Sequence, residues 1–348
     1  MATAPELGDL RAELRAAGVF EFREGRTWLK MAAMTIAFVT CLVTIAHYGW
    51  LVAIPLVPVC AVLATSIAMV GHEGSHKSFS ASPLRNAIVV HLVFPLFAGL
   101  SSLYWHNKHD RLHHGHPNVD GVDPDIMPFP FSSSRVGHER CGPKERWFQR
   151  NFQKWLFWPM STLMTVGMRR SSLLYLARYS SKRDGAWWVE AACTFVHYTA
   201  WVVVPALIFG PIQALLLYSA IWALVGVCLA LVFAPAHMGM PVTDGQNRDW
   251  LHQIETTRNL ELPRIVSPFF IGLDYQVEHH LFPKIPHASL PKAAAITAAW
   301  CARHGLPYES IPYQKALVIS VKFMAVAWSK NAQNPHDVRS WLADELAA

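Results

Sequence analysis

Residues 31–71 read MAAMTIAFVTCLVTIAHYGWLVAIPLVPVCAVLATSIAMVG, a stretch of 41 residues that contains no Asp, Glu, Lys or Arg. A membrane-spanning helix needs about 20 apolar residues, so this stretch is long enough for two of them. We expect helices at about 31–49 and 51–70, joined by a tight turn near residues 47–50. A buried hairpin of a soluble protein is the alternative, but soluble helices usually run only about 8–20 residues.

A second uncharged stretch supports the same interpretation. Residues 191–243 form a run of 53 residues without Asp, Glu, Lys or Arg, and Gly210-Pro211 interrupts it near its middle. Because Gly-Pro dipeptides are typical of turns, we expect a second helical hairpin at about 187–209 and 212–236.

The composition of the whole chain is that of a membrane protein. Of the 348 residues, 52% are hydrophobic and only 16% are charged, whereas soluble domains carry about 25% charged residues. These values disfavour a disordered tail, a nucleic-acid-binding module and an ordinary cytosolic enzyme. Lys and Arg are concentrated in residues 1–30 and in the segment between the hairpins, and the two outer turns hold none. The positive-inside rule therefore predicts that both termini and the central segment face the cytoplasm.

The 18 histidines are concentrated in a few short stretches. His72 and His76 are four residues apart, which would place both imidazoles on one face of a helix, as two ligands of one metal ion require. The stretch His72-Glu-Gly-Ser-His76 also matches the HExxH motif of zinc metalloproteases. A protease site would need only one further ligand, whereas this chain contains several more clustered histidines, so we favour a larger metal site.

The remaining clusters indicate more than one metal ion. His109 and His113 have the same four-residue spacing, and His114 lies about a further 100° around the helix. Since adjacent histidines diverge on a helix, His113 and His114 would serve two different ions, as would His279 and His280. So many imidazoles exceed the needs of one tetrahedral zinc. The ligand count therefore predicts two metal ions, and redox chemistry at imidazole donors favours iron.

Other side chains near the clusters could hold or flank the metal. His106 and His116 could each be a ligand, a hydrogen-bond donor to a ligand or a solvated residue. Metal-bound imidazoles usually donate their second ring nitrogen to an acid or a carbonyl. The acids suited to this role are Glu73, Asp110, Asp123, Asp125 and Glu278, although Asp123 and Asp125 could equally form a helix-capping turn beside Pro124. Among the other histidines, surface or loop positions are expected for His138, His252, His287, His304 and His336, and hydrogen-bonded core positions for His47, His91 and His197.

The second histidine cluster constrains the topology. Residues 86–104 are uncharged and just long enough to span the membrane. If they crossed it once, this cluster would lie on the opposite side from the other two, and the metal site would be split. We therefore predict that the segment re-enters or lies in the interface, for which Pro95 and Gly99 allow a bend.

The first two clusters resemble the histidine boxes of the membrane fatty acid desaturase family. Gly71-His-Glu-Gly-Ser-His76 is similar to the HDxxH or HExxH box. Lys108–His114, followed by Pro117-Asn118 and Asp123–Ile126, is similar to the KHNxHH box with its PN and DPDI segments. The chain departs from the family because its second box is HxxxHH rather than the usual HxxHH. This spacing leaves the register of the box open, and His106 could take part if the helix register shifts.

The third cluster carries the most specific resemblance, which extends over roughly residues 30–320. Gln253–Asn259 with Gly272–Pro283 resembles the QxxTSxN…GLxYQxEHHLFP signature of front-end desaturases and their bacterial acyl relatives. Ala236–Pro241 is similar to the NHxGMP segment, whose histidine is a metal ligand in the family. Gln276 stands where a related box has histidine, so it could be a weak ligand or hold a water. Carried over by position, the metal ligands would be His72, His76, His109, His113, His114, His237, His279 and His280, and further residues that could hold or flank the metal are Gln276, His106, Glu73, Asp110, Glu278 and Asn259.

The resemblance implies a di-iron acyl desaturase. Such an enzyme introduces a double bond into a long acyl chain, as acyl-CoA or acyl lipid, with O2 and two electrons. The chain contains no heme-binding HPGG-type segment, so we expect the type without fused cytochrome b5. Its electrons would come from a separate donor such as ferredoxin or cytochrome b5. A lipid or alkyl hydroxylase on the same scaffold is the alternative, and a His-rich metal-transport protein is a further one.

The resemblance and the hairpins together predict an all-α integral membrane protein. It would have four transmembrane helices in two hairpins, a re-entrant or interfacial helix, and a cytosolic cap that carries the two metals. Residues 1–30 would form a cytosolic N-terminal segment, residues 31–320 the membrane desaturase domain and residues 321–348 a C-terminal tail. We expect a multi-pass protein of the bacterial inner membrane that contacts lipids and no nucleic acid, with its metal site on the cytoplasmic side.

Overall fold

The structure, a computed structural model, describes residues 6–126, 129–179, 182, 184–243 and 249–328. It is mostly helical, as predicted. In chain order the α-helices are Leu7–Ala16, Glu24–Tyr48, Trp50–Ser75, Pro83–His91, Ser102–Trp105, Arg135–Arg140, Pro143–Asn151, Gln153–Met160, Met164–Tyr179, Gly185–Tyr198, Val204–Phe209, Pro211–His237, Trp250–Glu255, Ser267–Phe270, Gln276–Leu281, Leu290–His304 and Tyr313–Val326. The wider π-helical turns are Leu92–Ala98, His106–His113 and Thr199–Val203, the 3-10 turns are Ser161–Leu163 and His287–Ser289, and the strands are Asn259–Glu261 and Ser310–Pro312.

Four of these helical stretches are long and apolar enough to cross a membrane. They are Glu24–Tyr48, Trp50–Ser75, Gly185–Phe209 and Pro211–His237, and they confirm the four predicted spans. The first helix begins seven residues before the predicted 31, and the second ends five residues after the predicted 70. The difference arises because a charge-free run marks where a helix becomes apolar, whereas the backbone hydrogen bonds continue through charged residues at its ends.

A glycine makes each hairpin turn. Gly49 joins the first two spans with a φ of +81°, and Gly210 joins the last two with a φ of +91°. Glycine adopts positive φ without the steric cost that a Cβ atom imposes. Both turns lie where the sequence predicts them.

The uncharged segment before the second histidine box is sharply bent. The helical pieces Pro83–Ala98 and Ser102–His113 meet at 107° across a break of three residues. Gly99 begins the break with a φ of +65°, and Pro95 lies inside the preceding π-helical turn. A bend of this kind belongs either to a broken span or to a re-entrant loop. The bend itself agrees with the sequence, and re-entry stays a prediction.

Buried polar side chains hold this bend. Arg169 donates two hydrogen bonds to the carbonyl oxygen of Ala98, at 2.9 Å from Nε and 2.7 Å from Nη2. The backbone N–H of Ser101 donates to the Ser172 hydroxyl at 2.6 Å. Glu190, which is fully buried, accepts hydrogen bonds from the backbone N–H of Ser102 at 3.0 Å and from its hydroxyl. The backbone carbonyl and amide groups that have no helical partner at the break therefore find hydrogen-bond partners inside the protein, as an apolar environment requires.

The chain folds into two compact units, which do not follow the order of the sequence. The first unit comprises residues 1–21, 108–159 and 231–348, and the second comprises residues 22–107 and 160–230. The predicted division into an N-terminal segment, a membrane domain and a tail stays a prediction, and the tail beyond residue 328 lies outside the described residues.

The core of the first unit supports the segment that carries the third histidine box. Leu10, Leu14, Val277, Leu281 and Trp300 belong to one buried apolar cluster there. The two short strands pair in parallel, with Asn259 opposite Ser310. Since Asn259 also bonds to the helix Gln276–Leu281, the strands anchor that helix at a second point.

Candidate metal centre

A π-helical turn shapes the second histidine box. The backbone N–H of His114 bonds to the carbonyl of His109 at 2.9 Å, a bond of the wide i→i+5 type. The sequence predicts ordinary α-helical spacing here, and that prediction is wrong, because the turn is wider. In this turn the Nε2 atoms of His109 and His114 lie 3.2 Å apart, and the rings of His109 and His113 stack at 5.3 Å. The turn therefore accommodates the extra residue of HxxxHH, while His106 is exposed.

The first unit brings together six histidines from three segments. One ligand atom each of His113, His237 and His280 lies within 4.8 Å of the other two, and all three residues are buried. Their ring centroids are 4.8 to 5.0 Å apart. The three come from the second box, from the end of the helix Pro211–His237 and from the helix Gln276–Leu281.

The remaining three histidines form a second group in the same unit. Ligand atoms of His109, His114 and His279 also lie within 4.8 Å of one another. The two histidines of each adjacent pair therefore belong to different groups: His113 and His114 are in different groups, and so are His279 and His280. This division is the geometry that the sequence predicts for adjacent histidines serving different ions.

The donor set fits metal ions. Two nitrogens bound to one ion at about 2.1 Å lie roughly 3.0–3.4 Å apart, which includes the 3.2 Å between His109 and His114. Both ring nitrogens of His237 are buried and make no hydrogen bond within the described part of the chain. Leaving such an atom without a partner costs about 1–3 kcal/mol, which a bound ion would offset. Imidazole donors suit iron, copper, nickel and zinc.

The first histidine box lies in the second unit. His72 occupies the last turn of the helix Trp50–Ser75, and His76 follows directly. Both side chains are buried, and their ring centroids are 4.6 Å apart. The four-residue spacing thus brings the two imidazoles side by side, and Glu73 between them is buried as well.

Asp123 orients one imidazole of the centre. Its carboxylate lies 3.1 Å from Nδ1 of His113 and accepts hydrogen bonds from the backbone N–H groups of Asn118 and Asp125, at 2.8 and 2.9 Å. Burial works against the charged form of His113, but the negative charges of Asp123 and Asp125 outweigh it and hold the pKa of that imidazole above its usual value. Asp125 is exposed and paired with Lys108.

Gln253 links the second and third boxes. Its Oε1 lies 3.1 Å from Nδ1 of His280, and its Nε2 donates to the carbonyl oxygen of His114 at 3.1 Å. An amide oxygen can only accept, so it fixes the proton of His280 on Nδ1 and leaves Nε2 available to a metal ion.

Glu278 and Asn259 brace the third box from outside the ring cluster. Asn259 donates to Glu278 at 2.8 Å, and the Tyr308 hydroxyl lies 2.9 Å from the same carboxylate. Asn259 also accepts from the backbone N–H of Val277 at 2.9 Å. Burial raises the pKa of Glu278 to about 7. Sequence reasoning missed Tyr308, because no local pattern links it to a residue 30 positions earlier.

Among the other candidates, only Asp125 joins a group of converging ligands within the described residues, together with His109 and His113. Gln276 is buried, Asp110 is partly buried, and His116 is partly buried with Nδ1 at 3.2 Å from the carbonyl oxygen of Leu112. Gln276 is the first residue of the helix that carries His279 and His280.

Two histidines expected at the surface are buried. His252 contacts the carbonyl oxygen of Pro117 through Nε2 at 2.8 Å, and His138 contacts Oε1 of Gln149 through Nδ1. Both expectations were wrong, because no spacing pattern reveals these partners, which lie 135 and 11 residues away in the chain. His336 lies outside the described residues.

Comparisons with known proteins show which family this chain resembles. The model of the fatty acid desaturase family matches residues 48–312. The fatty acid desaturase 2-like protein FADS2B of Mus musculus is 27% identical over 92% of this chain and 66% of its own length. Fatty acid desaturase 3 of Bos taurus is 29% identical over 78% of this chain and 60% of its own length, and that of Homo sapiens is 28% identical over 79% and 61%. The chain thus spans less than two thirds of the length of these relatives. With a family match that covers most of its residues, the chain belongs to the fatty acid desaturase family.

Proposed function

We propose that this protein is an integral-membrane acyl desaturase with a histidine-ligated di-iron centre. Two bound iron ions would supply the reaction in which O2, two electrons and two protons remove two hydrogen atoms from an acyl chain and yield two molecules of water. The observation that carries the proposal is the convergence of six largely buried imidazoles from three segments of the first unit. Family membership supports desaturation as the reaction.

The proposed ligand set has eight members. It adds His72 and His76 of the first box to the six histidines of the first unit. The support for this addition is the family's box order and the paired, buried rings of the two residues. The eight ligands are His72, His76, His109, His113, His114, His237, His279 and His280.

The protein's own side chains orient these donors. Asp123 holds a proton on Nδ1 of His113, and Gln253 holds one on Nδ1 of His280. Each bond leaves the opposite ring nitrogen as the one that would bind an ion, and it would make that ligand more basic. Eight neutral imidazole ligands would leave the charge of the two ions uncompensated, which would favour a strongly oxidising centre.

The proposed setting is a bacterial inner membrane, with the metal site on its cytoplasmic side. The distribution of Lys and Arg supports this side. The substrate would be a long-chain acyl-CoA or acyl lipid. A separate donor such as ferredoxin or cytochrome b5 would supply the electrons.

Expression in a host of defined fatty acid composition tests the reaction. Gas chromatography with mass spectrometry should detect a new fatty acid that has lost two hydrogens, and His280→Ala should abolish it. His304→Ala, at an exposed histidine of the same unit, should leave it unchanged. A product that has gained one oxygen would instead identify a hydroxylase, and survival of the new product in His280→Ala would overturn the site assignment.

A further inference from the structure

His237 is the last residue of a long helix. The final carbonyl groups of an α-helix have no partner within the helix, and helix ends fray unless other groups bind them. A metal ligand at such an end needs its backbone held from outside, because a shift of a few tenths of an ångström would move its ring from the ion.

Three carbonyl groups around His237 are each bound from another segment. The backbone N–H of Arg258 donates to the carbonyl oxygen of Ala236 at 3.0 Å. Nδ2 of Asn118 donates to that of His237 at 3.2 Å, and Nη2 of Arg258 donates to that of Met238 at 2.9 Å. The residue before the ligand, the ligand itself and the residue after it are therefore all fixed.

Burying the guanidinium group of Arg258 beside this helix end is unfavourable by itself, and its hydrogen-bond and charge partners offset that cost. Its side chain is only 2% exposed, and a buried guanidinium is unfavourable unless it is paired. Nε donates to the sulfur of Met240 at 3.1 Å and lies 3.4 Å from the Glu309 carboxylate. A positive charge is also stabilised near the C-terminal end of a helix, where the helix dipole is negative. A lysine could not replace it fully, because one ammonium group lacks the planar fork that reaches both Met238 and Met240.

Asn118 connects the same helix end to a second ligand. Its backbone N–H donates to the Asp123 carboxylate at 2.8 Å, and Asp123 holds His113. Asn118 adopts a φ of +55°, a conformation that Asn and Asp tolerate better than other side chains. Asn118 thus contacts His237 directly and His113 through Asp123, and both histidines belong to the same group of three.

We propose that Arg258 and Asn118 are positioning residues that hold His237 in its ligating orientation in the group His113, His237 and His280. The inference rests on the proposed function. It predicts a selective defect: the ion of this group is lost more easily, while the ion of the other group is held as before.

Iron binding by purified full-length variants tests the inference. Arg258→Met removes the donors at similar length, Arg258→Lys keeps only the charge, and Asn118→Asp keeps the shape but replaces the donor with an oxygen. Competition with a chelator should reveal one iron per chain bound about 10- to 100-fold more weakly in Arg258→Met and Asn118→Asp, and a smaller change in Arg258→Lys. The second iron should be released as in the wild type. Arg264→Met, at an exposed arginine that follows the strand Asn259–Glu261, is the matched control.

The outcomes separate the two proposals. Equal iron content and release in the wild type and both donor-removing variants would overturn this inference alone. Equal weakening of both irons, with a lowered unfolding temperature, would also overturn it, because it would reveal a general structural role. A wild-type protein that binds no iron would contradict the proposed function as well. Asn118→Asp decides the matter if Arg258→Met does not fold, since it is nearly isosteric.

Discussion

At the scale of single residues, the site depends on hydrogen bonds that decide which imidazole nitrogen faces an ion. Asp123 was one of the acids that the sequence singled out as a partner of a ligand, with a helix-capping turn as the alternative. It did not predict the contacts of Gln253, Arg258 or Tyr308. Each of these joins segments far apart in the chain, and the spacing of residues along a chain carries no information about such pairs.

Asp123→Asn tests the support of His113. Asparagine has the same shape, but its neutral amide cannot accept from His113, Asn118 and Asp125 together as the carboxylate does. We expect desaturated product to form about 10- to 100-fold more slowly. Asp9→Asn, at an exposed acid of the same unit, should have no effect. A rate equal to the wild type in Asp123→Asn would mean that this hydrogen bond does not orient His113.

At the scale of elements, the spans were predictable and the turn of the second box was not. A run without charged residues is a strong signal, so all four spans begin and end within seven residues of their predicted positions. The π-helical turn His106–His113 differs from an α-helix only in which carbonyl each N–H binds. A short run of polar residues is compatible with either pattern, so tertiary contacts decide between them.

Helix packing in the second unit leaves no room for a side chain at Gly226. A Cβ atom there would lie 2.3 Å from the backbone oxygen of Ser161, which cannot rotate away as a side chain can. We expect Gly226→Ala to lower the stability by about 1–3 kcal/mol, measured as a lower midpoint of thermal unfolding in detergent. Gly167→Ala is the control, because a Cβ atom there meets nothing within 4 Å and alanine favours a helix. Equal midpoints for the wild type and Gly226→Ala would contradict this packing.

At the scale of the whole molecule, composition predicted a membrane protein and the histidine boxes predicted its family. The family match covers residues 48–312, which include all three boxes. The grouping of the chain into two units, each built from segments that are not consecutive in the sequence, was not predictable, because it depends on contacts between distant segments. The buried Arg169 and Glu190 that hold the bend were missed for the same reason.

The sidedness of the bent segment gives a test of the topology. Leu84 and Arg111 are exposed and lie before and after the bend. If the segment re-enters, single cysteines at these positions, in a background without the six native cysteines, should react with an impermeant thiol reagent from the same side of the membrane. Reaction from opposite sides would establish a fifth span and would separate the second box from the others.

The metal content of the purified wild-type protein reveals whether the histidines hold two iron ions. Elemental analysis of the full chain, extracted in mild detergent after growth with sufficient iron, should give two iron atoms per chain. Replacing His113 with Ala should lower this number, whereas His304→Ala should not. One zinc per chain, or no metal in either the wild type or the control, would show that the protein does not hold a di-iron centre.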